Sequence, residues 1–505
     1  MTTPTPVTPI DAAPDEVVDR LGTAAVDVPP ALLDRLAATG AAVDTSAAAR
    51  AEAGRDWWPI AIGWAAEGGV PQRPAAVVRP ATTEHVAAVL AACNEARVPV
   101  TAAAGRSGVC GGSIPVHGGI ALDLTGLEGV VRVDETSLTA DVRTGTFGPD
   151  LEEALGKVGD GDGYTLGHWP QSMDLSTVGG WLACRGAGQY STRYGKIEDM
   201  VIGLEVVLAD GRVVHTEGKG PRAATGPNLT QLFVGSEGTL GVITEARLRI
   251  HPLPPAQERR AFGFGSFAAG LDACRRIMRR GATPAVLRLY DETESERNFE
   301  HGDTNVLIVL DEADPDVLAG TMAVVDAECA APAGARSLDA ALVERWLGHR
   351  NDVSALAPLW RAGVVVDTAE ISGEWAALTA LHDEVVNALK GVDGTLAASA
   401  HQSHSYVDGA CLYFTFGGRG PEGDGEWRER YYRQCWDVVT DATLAHGAAI
   451  SHHHGIGLNR SRFLPRALGS GFEVLRGLKQ TFDPNGILNP GKFGLDSPFG
   501  PAPWA

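Results

Sequence analysis

Apolar residues in the first fifty positions recur at helical spacing, as at Leu32, Leu33 and Leu36, and predict a helical lead from about Asp15 to Arg50. Residues 1–15 are rich in Thr, Pro and Ala, which predicts a flexible terminus. The adjacent pair Trp57-Trp58 reads as part of a helical lid packed on the main body. From Arg73 the texture changes. Ala76–Pro80 predicts a short strand, and Val98–Ala102 another. Between them Thr83–Ala96 predicts a helix, with Thr82 or Thr83 as its cap and Val86, Val89 and Leu90 as its apolar stripe. The three make a β-α-β unit. Strands follow at 119–124, 129–134 and 138–143, and Asp210-Gly211 between two β-branched runs predicts a hairpin over Met200–Thr216.

The cluster Pro252-Leu253-Pro254-Pro255 marks a domain boundary. Beyond it, strands at 261–265, 285–290, 305–310, 362–367 and 411–417 alternate with helices at 267–280, 314–329, 373–389 and 425–446. This pattern predicts an α+β domain on a mostly antiparallel sheet. The chain divides into a lead (1–69), a first domain (70–252), a second domain (253–446) and a C-terminal segment (447–505).

Composition narrows the function classes. A chain of 505 residues has room for two or three folded units. Its net charge of −21 argues against a nucleic-acid partner. The seven Cys form no CxxC pair, which suits reduced, intracellular thiols. No signal-peptide pattern opens the chain and no apolar run is long enough for a membrane span, so a cytoplasmic location is expected.

Glycine concentrates in four stretches: Gly105–Ser113, Gly167–Trp181, Cys184–Asp199 and Gly235–Ile243. Such loops let backbone N–H groups cradle a pyrophosphate. Neither a Walker motif nor a Rossmann GxGxxG appears there, so the phosphates of a large dinucleotide would be held in another way. These stretches, with Gly220–Pro227 and Ser451-His452-His453-His454-Gly455-Ile456-Gly457, resemble the vanillyl-alcohol oxidase/PCMH superfamily, and within it the alkyldihydroxyacetonephosphate synthase family. The resemblance implies a PCMH-type, two-subdomain FAD-binding domain, an antiparallel-sheet substrate (cap) domain and a C-terminal helical return segment. It implies FAD contacts at Ala104, Gly105, Arg106, Ser107, Gly108 and Val109. Further contacts are implied at Gln171, Ser172, Met173, Asp174, Ser176, Thr177, Gly179 and Gly180. The rest are Cys184, Arg185, Gly186, Ala187, Glu237, Gly238, Thr239, Gly241, Val242 and Ile243. The first loop has no His, and Cys110 and Cys184 read as packing residues, so the FAD is expected to be noncovalent.

Three consecutive His cannot share one face of a strand or helix, so at most two converge on one site. The resemblance assigns catalytic roles to His453, His454, Tyr413 and His168, with Tyr406 as the second candidate for the tyrosine. It assigns substrate binding to Arg288 and Arg350, with Arg361 as the alternative to Arg350. In that family the acyl chain of acyl-dihydroxyacetone phosphate is exchanged for a fatty alcohol, with flavin N5 trapping the ketone carbon and no net redox change. The tail Phe482–Lys492 is similar instead to FAD-linked 2-hydroxyacid dehydrogenases. That branch carries a metal site, but here His453 takes the place of its glutamate and no second His follows Asp408-Gly409, so no metal is expected. The partner is a small lipid or hydroxyacid, with a homodimer as a family-level expectation and peripheral membrane contact left open.

Overall fold

The computed structural model describes residues 8–504 apart from 160–162, 217–219, 352–355, 422–423 and 425. Part of the Thr/Pro-rich terminus, residues 1–7, lies outside the described residues. The stretch that follows is packed rather than free: Arg55 donates to the Thr8 carbonyl at 2.6 Å, and the Asp11 N–H to the Ala65 carbonyl at 2.8 Å.

Two sheets build the glycine-rich half. One has four strands in the order Ala42–Asp44, Ala76–Arg79, Ile120–Asp123, Val100–Ala103, parallel except for the first. The helix Thr83–Ala96 joins two of them, capped by the Thr82 side chain. Val86, Val89 and Leu90 are fully buried, as the stripe predicts. The other sheet is antiparallel with five strands, and the expected hairpin forms two of them, Val201–Val207 and Val213–His215. The lead differs from expectation. It holds short helices at Pro30–Ala38, Ala47–Ala53 and Pro59–Ala65, and its strand Ala42–Asp44 completes the four-stranded sheet. Nor is the Trp pair a lid. Trp58 is fully buried, its ring edge-on to Trp64 and Trp504, and its indole N–H bonds the Tyr432 hydroxyl at 3.0 Å.

The second half is one antiparallel sheet of seven strands. Four of them carry the site: β1 (Val286–Tyr290), β2 (Val364–Glu374), β3 (Thr395–Ser405) and β4 (Gly409–Arg419), side by side in the order β1-β3-β4-β2. Helices α1 (Glu292–Phe299) and α2 (Ala341–His349) flank them. The helices Phe267–Arg279, Pro315–Ala330, Trp375–Lys390 and Trp427–Ala445 lie close to their expected positions. Strand β3 and helices α1 and α2 were not anticipated. β3 reads TLAASAHQSHS and α1 reads ETESERNF, so neither offers an apolar period.

The C-terminal segment returns to the glycine-rich half. Leu488 pairs with Val100, Asn489 Nδ2 donates to the Gly112 and Glu237 carbonyls, and buried Lys492 donates to the Ile114 carbonyl. Among the described residues no helix is long and apolar enough to cross a membrane.

Candidate active site

Cross-strand register builds the floor of the site. Tyr290 on β1 faces His401 on β3, His401 faces Tyr413 on β4, and Tyr413 faces Glu370 on β2. Directly opposed residues share a sheet face, and the rings stack: Tyr290 and His401 at 5.1 Å, His401 and Tyr413 at 4.9 Å. Glu370 ends the row and is fully buried. It pairs with Arg460 at 2.8 Å and accepts the N–H groups of His453 and His454 and the Ser451 hydroxyl. One buried carboxylate therefore shapes the whole histidine turn. Burial opposes its charge, yet Arg460 and those donors hold its carboxyl below the usual range.

Glycine locks the turn to the other half of the molecule. Gly455 and Gly457 both have positive φ, +81° and +52°. A Cβ on Gly457 would lie 2.1 Å from the Cys110 carbonyl oxygen in the first glycine loop. The Ile456 and Gly457 N–H groups bond the Glu237 carboxylate at 2.6 and 2.8 Å.

Between the two halves lies a cavity of about 820 Å³, within the ~300–1,000 Å³ range of small-molecule sites. It is lined by Ala104, Gly105, Arg106, Ser107, Gly108 and Val109 of the first loop and by Gln171, Ser172, Ser176, Thr177, Gly179 and Gly180 of the second. Cys184, Gly186, Ala187, Glu237, Gly238, Gly241, Val242 and Ile243 complete that wall. The opposite wall carries Arg288, Arg350, Tyr413, His453 and His454.

Five expected contacts are elsewhere. Met173 turns away to pack on Gly148, and exposed Asp174 is off the wall. Arg185 is a left-handed helix cap whose guanidinium approaches Glu198 and Gln231. Thr239 bonds the Ser236 carbonyl. His168, expected to be catalytic, is fully buried beside Trp181, with ring centroids 4.6 Å apart, and does not line the cavity. Arg350 is on the wall, whereas Arg361 is exposed at the end of its own helix and is not. Tyr406 is also off the wall; its hydroxyl is 2.8 Å from His452 Nε2. Sequence reasoning missed Trp57, Gln189, Glu294, Trp346, His401 and Thr368, which all line the cavity. Of these only Gln189 lies in a glycine stretch and none in the histidine string, and only cross-strand register would have signalled His401 and Thr368.

The imidazoles are held neutral. Burial drives His453 and His452 well below the ordinary value, and neighbouring histidines add to the effect. Burial takes His454 down to about 4 against the opposing pull of Glu370. Burial also pushes the Tyr413 phenol far above its ordinary range. Its hydroxyl accepts from Thr368 at 3.0 Å, leaving its own proton for the cavity. The three histidines split. His453 and His454 reach Tyr413, with centroids 6.0 and 5.6 Å away. His452 turns to His404, and ring nitrogens of His404, His452 and His453 lie within 4.8 Å of one another, a spacing that metal ligands use. Hydrogen-bonding distances already join this group to Ser191, to Tyr406 and between His452 and His453.

The two arginines are cations without a carboxylate partner among the described residues. Arg288 donates to the Tyr290 hydroxyl and to His401; Arg350 donates to Gln189. Both guanidinium groups lie over Trp346, at 5.5 and 5.6 Å.

A dinucleotide fits the opposite wall. Among the described residues the N–H groups of Ser107, Gly108 and Val109 donate to no protein acceptor, and Arg106 Nε is buried without a partner. A Cβ on Gly105 would lie 2.0 Å from the Leu175 carbonyl oxygen, so only glycine lets the two loops close there.

Comparison with known proteins finds two matching family models. The model of the FAD binding domain matches residues 74–217, and that of the FAD linked oxidases, C-terminal domain, matches residues 253–493. The chain is 33% identical over 433 residues to an Escherichia coli protein described as the uncharacterized FAD-linked oxidoreductase YgcU, covering 83% of this chain and 88% of that one. It is 29% identical over 463 residues to alkyldihydroxyacetonephosphate synthase of Dictyostelium discoideum, covering 84% and 74%. A solved alkyldihydroxyacetonephosphate synthase superposes with a TM-score of 0.77 at 25% identity, over 96% of this chain and 89% of that one.

Proposed function

We propose, on the premise that the chain belongs to the FAD-linked oxidoreductases of the vanillyl-alcohol oxidase/PCMH superfamily, that its site takes a small substrate with an anionic head, as alkyldihydroxyacetonephosphate synthases do. The observation that carries this reading is the pair Arg288 and Arg350. Both face the cavity with no carboxylate partner among the described residues, and they share it with Tyr413, His453 and His454. An uncompensated guanidinium in a cavity favours a phosphate or carboxylate ligand.

The first and second glycine loops, with Arg106, would hold FAD noncovalently. When bound, FAD supplies the centre that accepts electrons or bonds a substrate carbon. This chain's residues do the rest. Arg288 and Arg350 seat the phosphate of acyl-dihydroxyacetone phosphate. Neutral His453 or His454 takes the proton from the carbon bearing the acyl group, and the Tyr413 phenol donates to the departing oxygen. A fatty alcohol then replaces the fatty acid, with no net oxidation. Trp346 lies beneath both guanidinium groups, an apolar support for the anion site.

The test is anaerobic incubation with palmitoyl-dihydroxyacetone phosphate and labelled hexadecanol. Labelled alkyl product with no lasting change in flavin absorbance is expected. Tyr413→Phe is expected to lose at least ~100-fold in rate with its FAD retained. Bleaching of the flavin by 2-hydroxyacids, without alkyl product, would replace this reading with hydroxyacid oxidation.

A further inference from the structure

Glu294 and His401 have no part in the chemistry above, yet both line the cavity and both are buried, at 1% and 8% exposure. Glu294 stands on α1. Its Oε1 accepts from the Ser399 and Thr415 hydroxyls at 3.1 and 2.8 Å and pairs with Arg297 at 2.9 Å. Its Oε2 lies 2.7 Å from His401 Nδ1. On the far side of the ring, His401 Nε2 lies 2.7 Å from Arg288 Nη2.

This chain of contacts fixes the tautomer. A guanidinium nitrogen can only donate, so His401 Nε2 must accept. The single ring proton is then on Nδ1 and points at Glu294. The ring cannot turn away, because Tyr290 and Tyr413 stack on its two faces. We propose that Glu294 and His401 are a positioning pair that holds the Arg288 guanidinium in place for the anionic group of the substrate. The inference rests on the anion-binding reading of the cavity and deepens it. A carboxylate placed directly on Arg288 would give the same orientation but would supply the counter-charge that the substrate must bring. A neutral imidazole between them transmits the orientation and leaves the cation available.

Glu294→Gln is a near-isosteric test with a forced outcome. Oε1 has three donors aimed at it, so the amide oxygen stays there and the NH₂ takes the place of Oε2. That NH₂ donates to His401 Nδ1, the ring proton moves to Nε2, and Nε2–H then opposes Arg288 Nη2–H. Histidine-labelled ¹⁵N spectra of the FAD-loaded enzyme read the tautomer, with the His401 signals identified by their loss in His401→Gln. The expected result is Nδ1–H in the wild type and Nε2–H in Glu294→Gln. Titration with dihydroxyacetone phosphate, followed by flavin absorbance, reads the consequence. A dissociation constant about tenfold higher in Glu294→Gln is expected, the scale of one charge-assisted hydrogen bond, with a larger loss in Arg288→Met.

An Nε2–H or doubly protonated His401 in the wild type overturns the pair, however the variants fold. A switched tautomer with unchanged affinity overturns its action on Arg288. A wild type that responds no more than Arg288→Met overturns the anion reading itself.

Discussion

His453 and His454 reach the cavity as neutral imidazoles, and this sets a testable pH dependence. Burial lowers the His454 pKa to about 4, with Arg460 reinforcing and Glu370 opposing the effect. An ordinary histidine titrates near 6.5. A base that works in its neutral form loses activity as pH falls through its pKa. The loss attributable to His454 should therefore lie near pH 4, and rates at pH 6 and 8 should not differ on its account. The check is the pH profile of turnover in the wild type and in His454→Gln. A wild-type inflection near 6.5 that the substitution removes would contradict the assignment. The surroundings of Arg350 left Arg361 open beside it, whereas Tyr413, His453, His454 and Arg288 were legible in the sequence because they sit in or near recognisable strings. Glu370, His401 and Glu294 were not. Each reads as an ordinary polar residue, and their roles arise only when register sets Tyr290, His401, Tyr413 and Glu370 in one row. His168 shows the converse. Its Gly-His-x-Pro setting matched the family, yet the local backbone buries its ring beside Trp181.

Among the elements, the histidine turn is held by backbone geometry as much as by side chains. Gly457 combines a φ of +52° with a Cβ position 2.1 Å from the Cys110 carbonyl oxygen. A left-handed conformation costs an ordinary residue about 1–2 kcal/mol, and backbone cannot yield as a flexible side chain can. Gly457→Ala should therefore destabilise the protein by more than ~2 kcal/mol and loosen its flavin, because the displaced loop is the one that lines the cofactor wall. Thermal denaturation and the flavin-to-protein ratio read the two effects; wild-type values for both would show that the contact is not needed. The glycine stretches were legible because only glycine tolerates such approaches. The β-α-β unit was legible because its helix keeps a clean apolar stripe. Strand β3 was hidden by its function: His401, Gln402, Ser403, His404 and Ser405 are all buried polar residues, and His401, His404 and Gln402 reach Glu294, Ser191 and the Leu287 carbonyl, all distant in the chain. Such a strand has no hydrophobic alternation to read.

At the scale of the whole molecule, the net charge of −21 would leave the proposed anion recognition to a few local cations, and the cavity gathers residues from Trp57 to His454. A ligand that touches so much of the chain binds the folded state and has no equivalent site in the unfolded one. How it is attached then decides how stability responds to its concentration. Cys110 and Cys184 are the thiols on the cavity wall. Burial pushes Cys184 up to about 12, and Glu237 adds to that; burial raises Cys110 well above its ordinary value despite Arg460. The reactive form of cysteine is the thiolate, so neither thiol is poised to form a bond to FAD, and the first loop offers no histidine. Acid precipitation should accordingly leave the yellow colour in the supernatant. After FAD is removed, the unfolding temperature should fall, and it should climb as FAD is added back. The gain is about 2.7 kcal/mol at a free concentration one hundred times the dissociation constant, and a further ~1.4 kcal/mol for each tenfold beyond. A colourless supernatant over a yellow pellet, with an unfolding temperature indifferent to added FAD, would mean that the flavin is covalently held and that one of these buried thiols is far more reactive than its surroundings imply.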